Sequence, residues 1–176
     1  ANLMNLLLHM LRCSGFFSYG RIEVALLFTD DRAQRLLAQP GDLMYNRLSI
    51  LAWMLCDVKL LHVESNVSFD PVPSAGYSNP PPQMHLISLV PKQEFKLQVP
   101  LHCILLVPKF LKLLTVKTSQ PLSSAMDNIS PGSSVLLREL GLPKNAKPLD
   151  LTPSQYKLLF ELFFNWEDSM LDFLME

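Results

Sequence analysis

The stretch that most restricts the fold begins at Leu151. Leu151-Thr152-Pro153-Ser154-Gln155 combines three helix-start signals: a Thr cap, Pro at the first helical position and Gln three residues after the cap. Leu151 stands where it can pack back on Tyr156 as a hydrophobic staple. Beyond it, Leu159, Phe163, Trp166, Met170 and Phe173 recur at three- and four-residue steps. Leu158, Leu162, Leu171 and Leu174 widen that stripe, and Phe160 and Phe164 extend it. The spacing predicts a long amphipathic helix at 152–175. So many large groups on one helix must lie across a sheet or leave a face for a partner. Tyr156, Leu159, Phe163, Trp166, Met170, Phe173 and Leu174 are therefore the expected partner-binding residues. The acids Glu167, Asp168, Asp172 and Glu176 among them would keep such a helix soluble and steer it to a basic groove.

The rest of the chain predicts an α+β (mixed α/β) fold. A mainly antiparallel or mixed sheet of about five to six strands would pack against four to five helices. The whole of 1–176 reads as a single domain. Residues 2–13 form a greasy helix, and Arg21 to Phe28 a strand buried on both faces. Asp31 with Gln34 has capping-box spacing for a short helix, and Asp42 is placed to cap a core helix from Leu43 to Asp57. Leu60 to Phe69 alternates as a half-exposed strand. The five prolines between Asp70 and Pro82 mark a surface loop at 70–82. Met84–Val90, Glu94–Val99, Leu101–Val107 and Phe110–Thr118 read as further strands, with Pro91, Pro100 and Pro108 at their ends. Ser119 to Gly132 reads as loop. A short helix from Ser133 or Ser134 stops at Gly141-Leu142-Pro143.

Candidate chemistry is sparse. Asp30 and Asp31 stand at the carboxyl end of a strand, where an open α/β sheet places divalent-metal and phosphate chemistry. No glycine-rich turn or Walker lysine follows them, and helix capping explains both. His9, His62, His85 and His102 show no zinc spacing. Cys103 with His62 or His85 would have to assemble a nucleophilic pair in space. Cys13, Cys56 and Cys103 read as buried, reduced thiols. The sequons at Asn66 and Asn128 carry little weight without a secretory signal. The sequence therefore points to no catalytic residue, no metal ligand and no cofactor.

Charged residues make up only 18% of the 176 and the net charge is −1, so electrostatics is not the main business of the whole domain. Lys92, Lys96, Lys109, Lys112 and Lys117 face a single acid, Glu94, between residues 82 and 119. They read as solvated strand faces, with nucleic-acid binding by the Lys92–Lys117 face held as an alternative. The leading expectation is a non-catalytic scaffold or adaptor subunit of an intracellular, cytoplasmic or nuclear complex. Its partner would be a protein, in a hetero-oligomer or else a homodimer, with nucleic acid reached only through the complex. An α/β enzyme, or a degenerate one, using Asp30 and Asp31 is the second reading. No targeting segment or membrane span stands out, and the start at Ala1 suits a fragment of a longer protein.

Overall fold

The computed structural model describes residues 3–70, 82–93, 97–99, 101–143 and 145–167, the side chains of 101 and 102 excepted. In chain order the regular elements are α1 (Leu3–Leu11), β1 (Val24–Thr29), α2 (Asp30–Leu37), α3 (Arg47–Leu55), β2 (Cys56–Ser65), β3 (Gln83–Pro91), α4 (Val107–Thr115), α5 (Leu122–Ile129) and α6 (Pro153–Phe164). Short 3₁₀ turns fill several of the connections.

The described residues form a mixed α/β structure whose three strands pair antiparallel in the order β1-β3-β2. That is fewer than the five to six expected. The middle strand β3 buries Met84, Ile87, Ser88 and Leu89, whereas β1 alternates partly and fully exposed positions until Phe28. β1 is thus an edge strand, and the expectation that both its faces are buried is corrected. Its register sets Phe28 opposite His85, and β2 sets Val63 opposite the same histidine. A bulge between Leu60 and His62 leaves Leu61 exposed beside Leu60 and Val63.

Two expected strands are helical. Leu101–Leu106 is a 3₁₀ segment and Val107–Thr115 is α4. Val107, Phe110, Leu111 and Leu114 are its buried residues, which is a helical period, and Pro108 sits at its first turn where no N–H is needed. Leu122, Ala125, Met126 and Ile129 repeat that pattern in α5, within a stretch expected to be loop. Of the expected strand at 94–99, residues 97–99 lie in no strand and 94–96 fall outside the described residues.

α3 is the centre of the core. It packs against α1, α2, α4, α6 and β2, and buries Ile50, Leu51, Ala52, Met54 and Leu55. It starts later than expected. Asn46, not Asp42, is its cap: the Asn46 carboxamide accepts from Leu48 N–H at 2.8 Å while Ser49 Oγ accepts from Asn46 N–H at 3.2 Å. α6 opens on the reciprocal bonds of Thr152 and Gln155. Phe110 of α4 is held by three α6 rings, with centroids 5.3 Å to Phe160, 4.5 Å to Phe163 and 5.7 Å to Phe164. Each such buried ring contributes roughly 1.5–3 kcal/mol through lost apolar exposure.

Candidate nucleic-acid interface

The expected partner-binding face of α6 is the inside of the protein. Tyr156, Leu159 and Phe163 are fully buried. Trp166 packs partly buried against the same core, its ring near Gly132. Met170, Phe173 and Leu174 lie outside the described residues. α3 and Phe110 of α4 pack on this stripe, so Tyr156, Leu159 and Phe163 serve the core and not a partner.

Asp30 and Asp31 open α2 without capping it. The N-cap is Thr29, and no side-chain cap bond is made there. Asp30 accepts from Gln34 Nε2 at 2.8 Å and lies 2.9 Å from His85 Nε2, whereas Asp31 pairs with Arg35 at 2.9 Å. Their carboxylates therefore serve different partners rather than one ion. Among the described residues no group of three or more His, Cys, Asp or Glu side chains gathers to hold a metal. Both acids still complement the positive helix start.

The end of the sheet next to Asp30 is polar. Glu64 accepts from Ser68 Oγ at 2.8 Å and from Ser65 N–H at 3.0 Å, and these bonds, with His62 at 3.4 Å, hold its carboxyl below the usual range. Ser65 Oγ, Asn66 Oδ1 and His85 Nδ1 are buried and without a hydrogen-bond partner among the described residues. β2–β3 pairing gathers them there, since Val63 faces His85 and Ser65 faces Gln83. Buried polar atoms left unpaired are uncommon, and several in one place call for a ligand or a functional cause. Asn66 itself is only 2% exposed, so it is no glycosylation site.

On the far side of α2 opens a broad groove of about 1610 Å³. Leu3, Met4 and Leu6 of α1 and Leu26–Phe28 of β1 give it an apolar floor. Arg32 and Arg35 of α2 line one wall, Lys109 and Lys112 of α4 another, and Arg47 stands at the start of α3. Among the described residues no aspartate or glutamate lines it. Only Arg35 among these five cations forms an ion pair within the described residues. Each pair on α2 and α4 is spaced by three, which places both members on one helical face. Arg32, Arg47, Lys109 and Lys112, without an ion pair among the described residues and set beside apolar side chains, make a surface suited to a polyanion.

The structure rearranges the expected lysine face accordingly. Lys109 and Lys112 belong to it, but on a helix, and they join arginines that sequence reasoning passed over. Lys92 instead donates to Trp53 O at 2.6 Å, Lys117 is exposed beyond α4, and Lys96 lies outside the described residues. The signal was available in the i,i+3 spacing of Arg32/Arg35 and Lys109/Lys112, once 107–115 is taken as helix. Cys56 and Cys103 are buried and Cys13 is exposed, which corrects the expectation for that third thiol. His62 turns to Glu64 and His85 to Asp30 instead of pairing with Cys103.

A profile described as ribosomal RNA adenine dimethylase matches residues 5–163. The chain is 27% identical over 155 residues to "Dimethyladenosine transferase 1, mitochondrial" of Vermamoeba vermiformis, covering 88% of this chain and 42% of that protein. It is 26% identical over 169 residues to "Dimethyladenosine transferase 2, mitochondrial" of Homo sapiens, covering 85% and 41%. In fold it is similar to a crystal structure of a dimethyladenosine transferase from Plasmodium falciparum, with a TM-score of 0.57 at 18% identity over 80% of this chain and 57% of that one. The chain thus spans about two fifths of the length of these two curated relatives. These matches overturn the reading as a non-catalytic scaffold or adaptor: the relatives bear the names of methyltransferases, and the helix face that motivated the scaffold is core.

Proposed function

Since the chain belongs to the ribosomal RNA adenine dimethylase family, we propose that it provides the RNA-gripping part of an enzyme that methylates adenine in ribosomal RNA. The observation that carries this reading is the groove whose five lining cations face no lining carboxylate. Phosphates seated along Arg32, Arg47, Lys109 and Lys112 would release counterions, the main sequence-independent source of nucleic-acid affinity. Leu26 and the exposed Leu27 give bases an apolar surface beside these cations. The nucleic-acid partner is direct, not one reached through a protein complex.

Dimethylation requires a methyl donor, which supplies the transferred carbon. We assign this chain the RNA side of the reaction. An RNA substrate fits an intracellular setting, and the names of two relatives favour a mitochondrial one over the cytoplasm or nucleus.

The test is binding of a ribosomal RNA hairpin across a salt series. Affinity falls steeply with salt, and Arg47→Ala or Lys109→Ala each shallows the log–log slope by about 1. A salt-independent affinity, or slopes unmoved by both variants, rejects the reading.

A further inference from the structure

The connection between α2 and α3 carries two large apolar side chains at its tip. Leu43 is 102% exposed and Met44 43% exposed, and both line the basic groove. One exposed leucine is ordinary. This pair is distinguished by how firmly its loop is built. Gln39 N–H donates to Asp42 Oδ2 at 2.7 Å, which also turns the nearest carboxylate back into the loop. Asp42 N–H donates to Gln39 O and Tyr45 N–H to Asp42 O, both at 3.0 Å. Asn46 Nδ2 donates to Met44 O at 2.7 Å, and the buried Tyr45 hydroxyl donates to Leu151 O at 3.0 Å. Gly41 turns the chain at φ +91°, a conformation that side chains rarely adopt. The tip is held out from the protein by bonds on both sides of it, with Arg47 just beyond.

Resting on the RNA reading above, we propose that Leu43 and Met44 form an apolar wedge that enters the base stack of the bound RNA. An enzyme that works on a base must take it out of the stack, and apolar side chains pushed between bases open such gaps in nucleic acids. The occupant is RNA because the charge around the tip fits it: Arg32 and Arg47 share the groove, and among the described residues no carboxylate lines it. The cations hold the backbone while the two apolar groups occupy the gap left in the stack.

The experiment uses the protein, its Leu43→Ser/Met44→Ser variant and Arg47→Ala, with ribosomal RNA hairpins carrying 2-aminopurine at successive adenines. Wild type raises the fluorescence of at least one position at saturation, reporting unstacking. The double variant melts at the wild-type temperature and binds within about threefold, because phosphate contacts persist, yet loses at least four fifths of that enhancement. Arg47→Ala weakens binding but keeps the enhancement once saturated. Equal enhancement from the double variant overturns the wedge while leaving the RNA groove intact. Absence of salt-dependent RNA binding by wild type overturns both. A change in oligomeric mass of the double variant, with unstacking unchanged, would make the tip a protein contact and also overturn the wedge.

Discussion

The phenol of Tyr45 donates to the carbonyl of Leu151 at 3.0 Å inside the core, tying the base of the α2–α3 loop to the residue before the α6 cap. The Tyr156 hydroxyl makes a second such bond to Pro148 O, so two buried phenols brace the same junction. Burial pushes both phenols up from their ordinary range, Tyr156 further than Tyr45. Tyr45→Phe keeps the ring and strands the Leu151 carbonyl, at a cost of about 1–2 kcal/mol. Urea denaturation reads this as a lower midpoint with an unchanged slope. An unshifted midpoint would deny the clasp its role.

Phe163→Ala separates a core residue from an interface residue. Its ring lies 4.5 Å from that of Phe110 and is fully buried, so the substitution costs about 3–5 kcal/mol. Thermal melting gives the result directly. Native stability with a lost protein partner would restore the interface reading of α6.

Thr152→Ala removes the acceptor for Gln155 N–H, now at 3.2 Å, and lowers stability by about 1 kcal/mol. Thr152→Ser retains the hydroxyl and stays within a few tenths of wild type. Equal stabilities for the Ala and Ser variants would mean that α6 is anchored by packing alone.

The thiols divide by exposure. Cys13 reacts with a soluble disulfide reagent in the native protein, while Cys56 and Cys103 react only on unfolding. Burial pushes the Cys56 thiol up to about 12, outweighing the opposing pull of Lys92. Its neutral form is the folded one. The associated stability is whole below the ordinary thiol range near pH 8.5 and is lost as pH rises from there towards 12. Stability should fall by up to about 1.4 kcal/mol per pH unit above roughly pH 9, with a shallower fall in Cys56→Ala. Parallel slopes for the two proteins would dismiss the linkage.

What the sequence disclosed was the part governed by local rules. The Thr152/Gln155 box is written in neighbouring residues and the structure contains it, whereas the helix expected to stop at Gly141 is a 3₁₀ turn, Ser133–Arg138, that ends before the glycine. α3 also emerged as a core helix, though its cap lay four residues late because Asn46 and Ser49 outcompete Asp42, which closes the loop instead. Residues 101–115 were misread because runs of Leu and Val satisfy strand and helix alike; the period of Val107, Phe110, Leu111 and Leu114 settles the matter. The candidate groove was illegible for a different reason. Its cations come from α2, α3 and α4, and only tertiary packing brings Arg32, Arg47 and Lys109 around one floor. The apolar wealth of α6 was seen correctly but misassigned, since sequence does not say which face another helix already covers.

The packing of α3 beneath α6 also bears on how the protein is made. Ile50, Leu51, Met54 and Leu55 leave the ribosome long before Phe160 and Phe163, their cover, have been translated. Until then the nascent chain holds out a sticky, half-finished interior, and a topology so dependent on distant contacts closes slowly. Nascent chains arrested before Pro153 should therefore remain protease-sensitive and chaperone-bound, and those arrested after α6 has cleared the exit tunnel should be released. The last helix to be made is thus the one that closes the core.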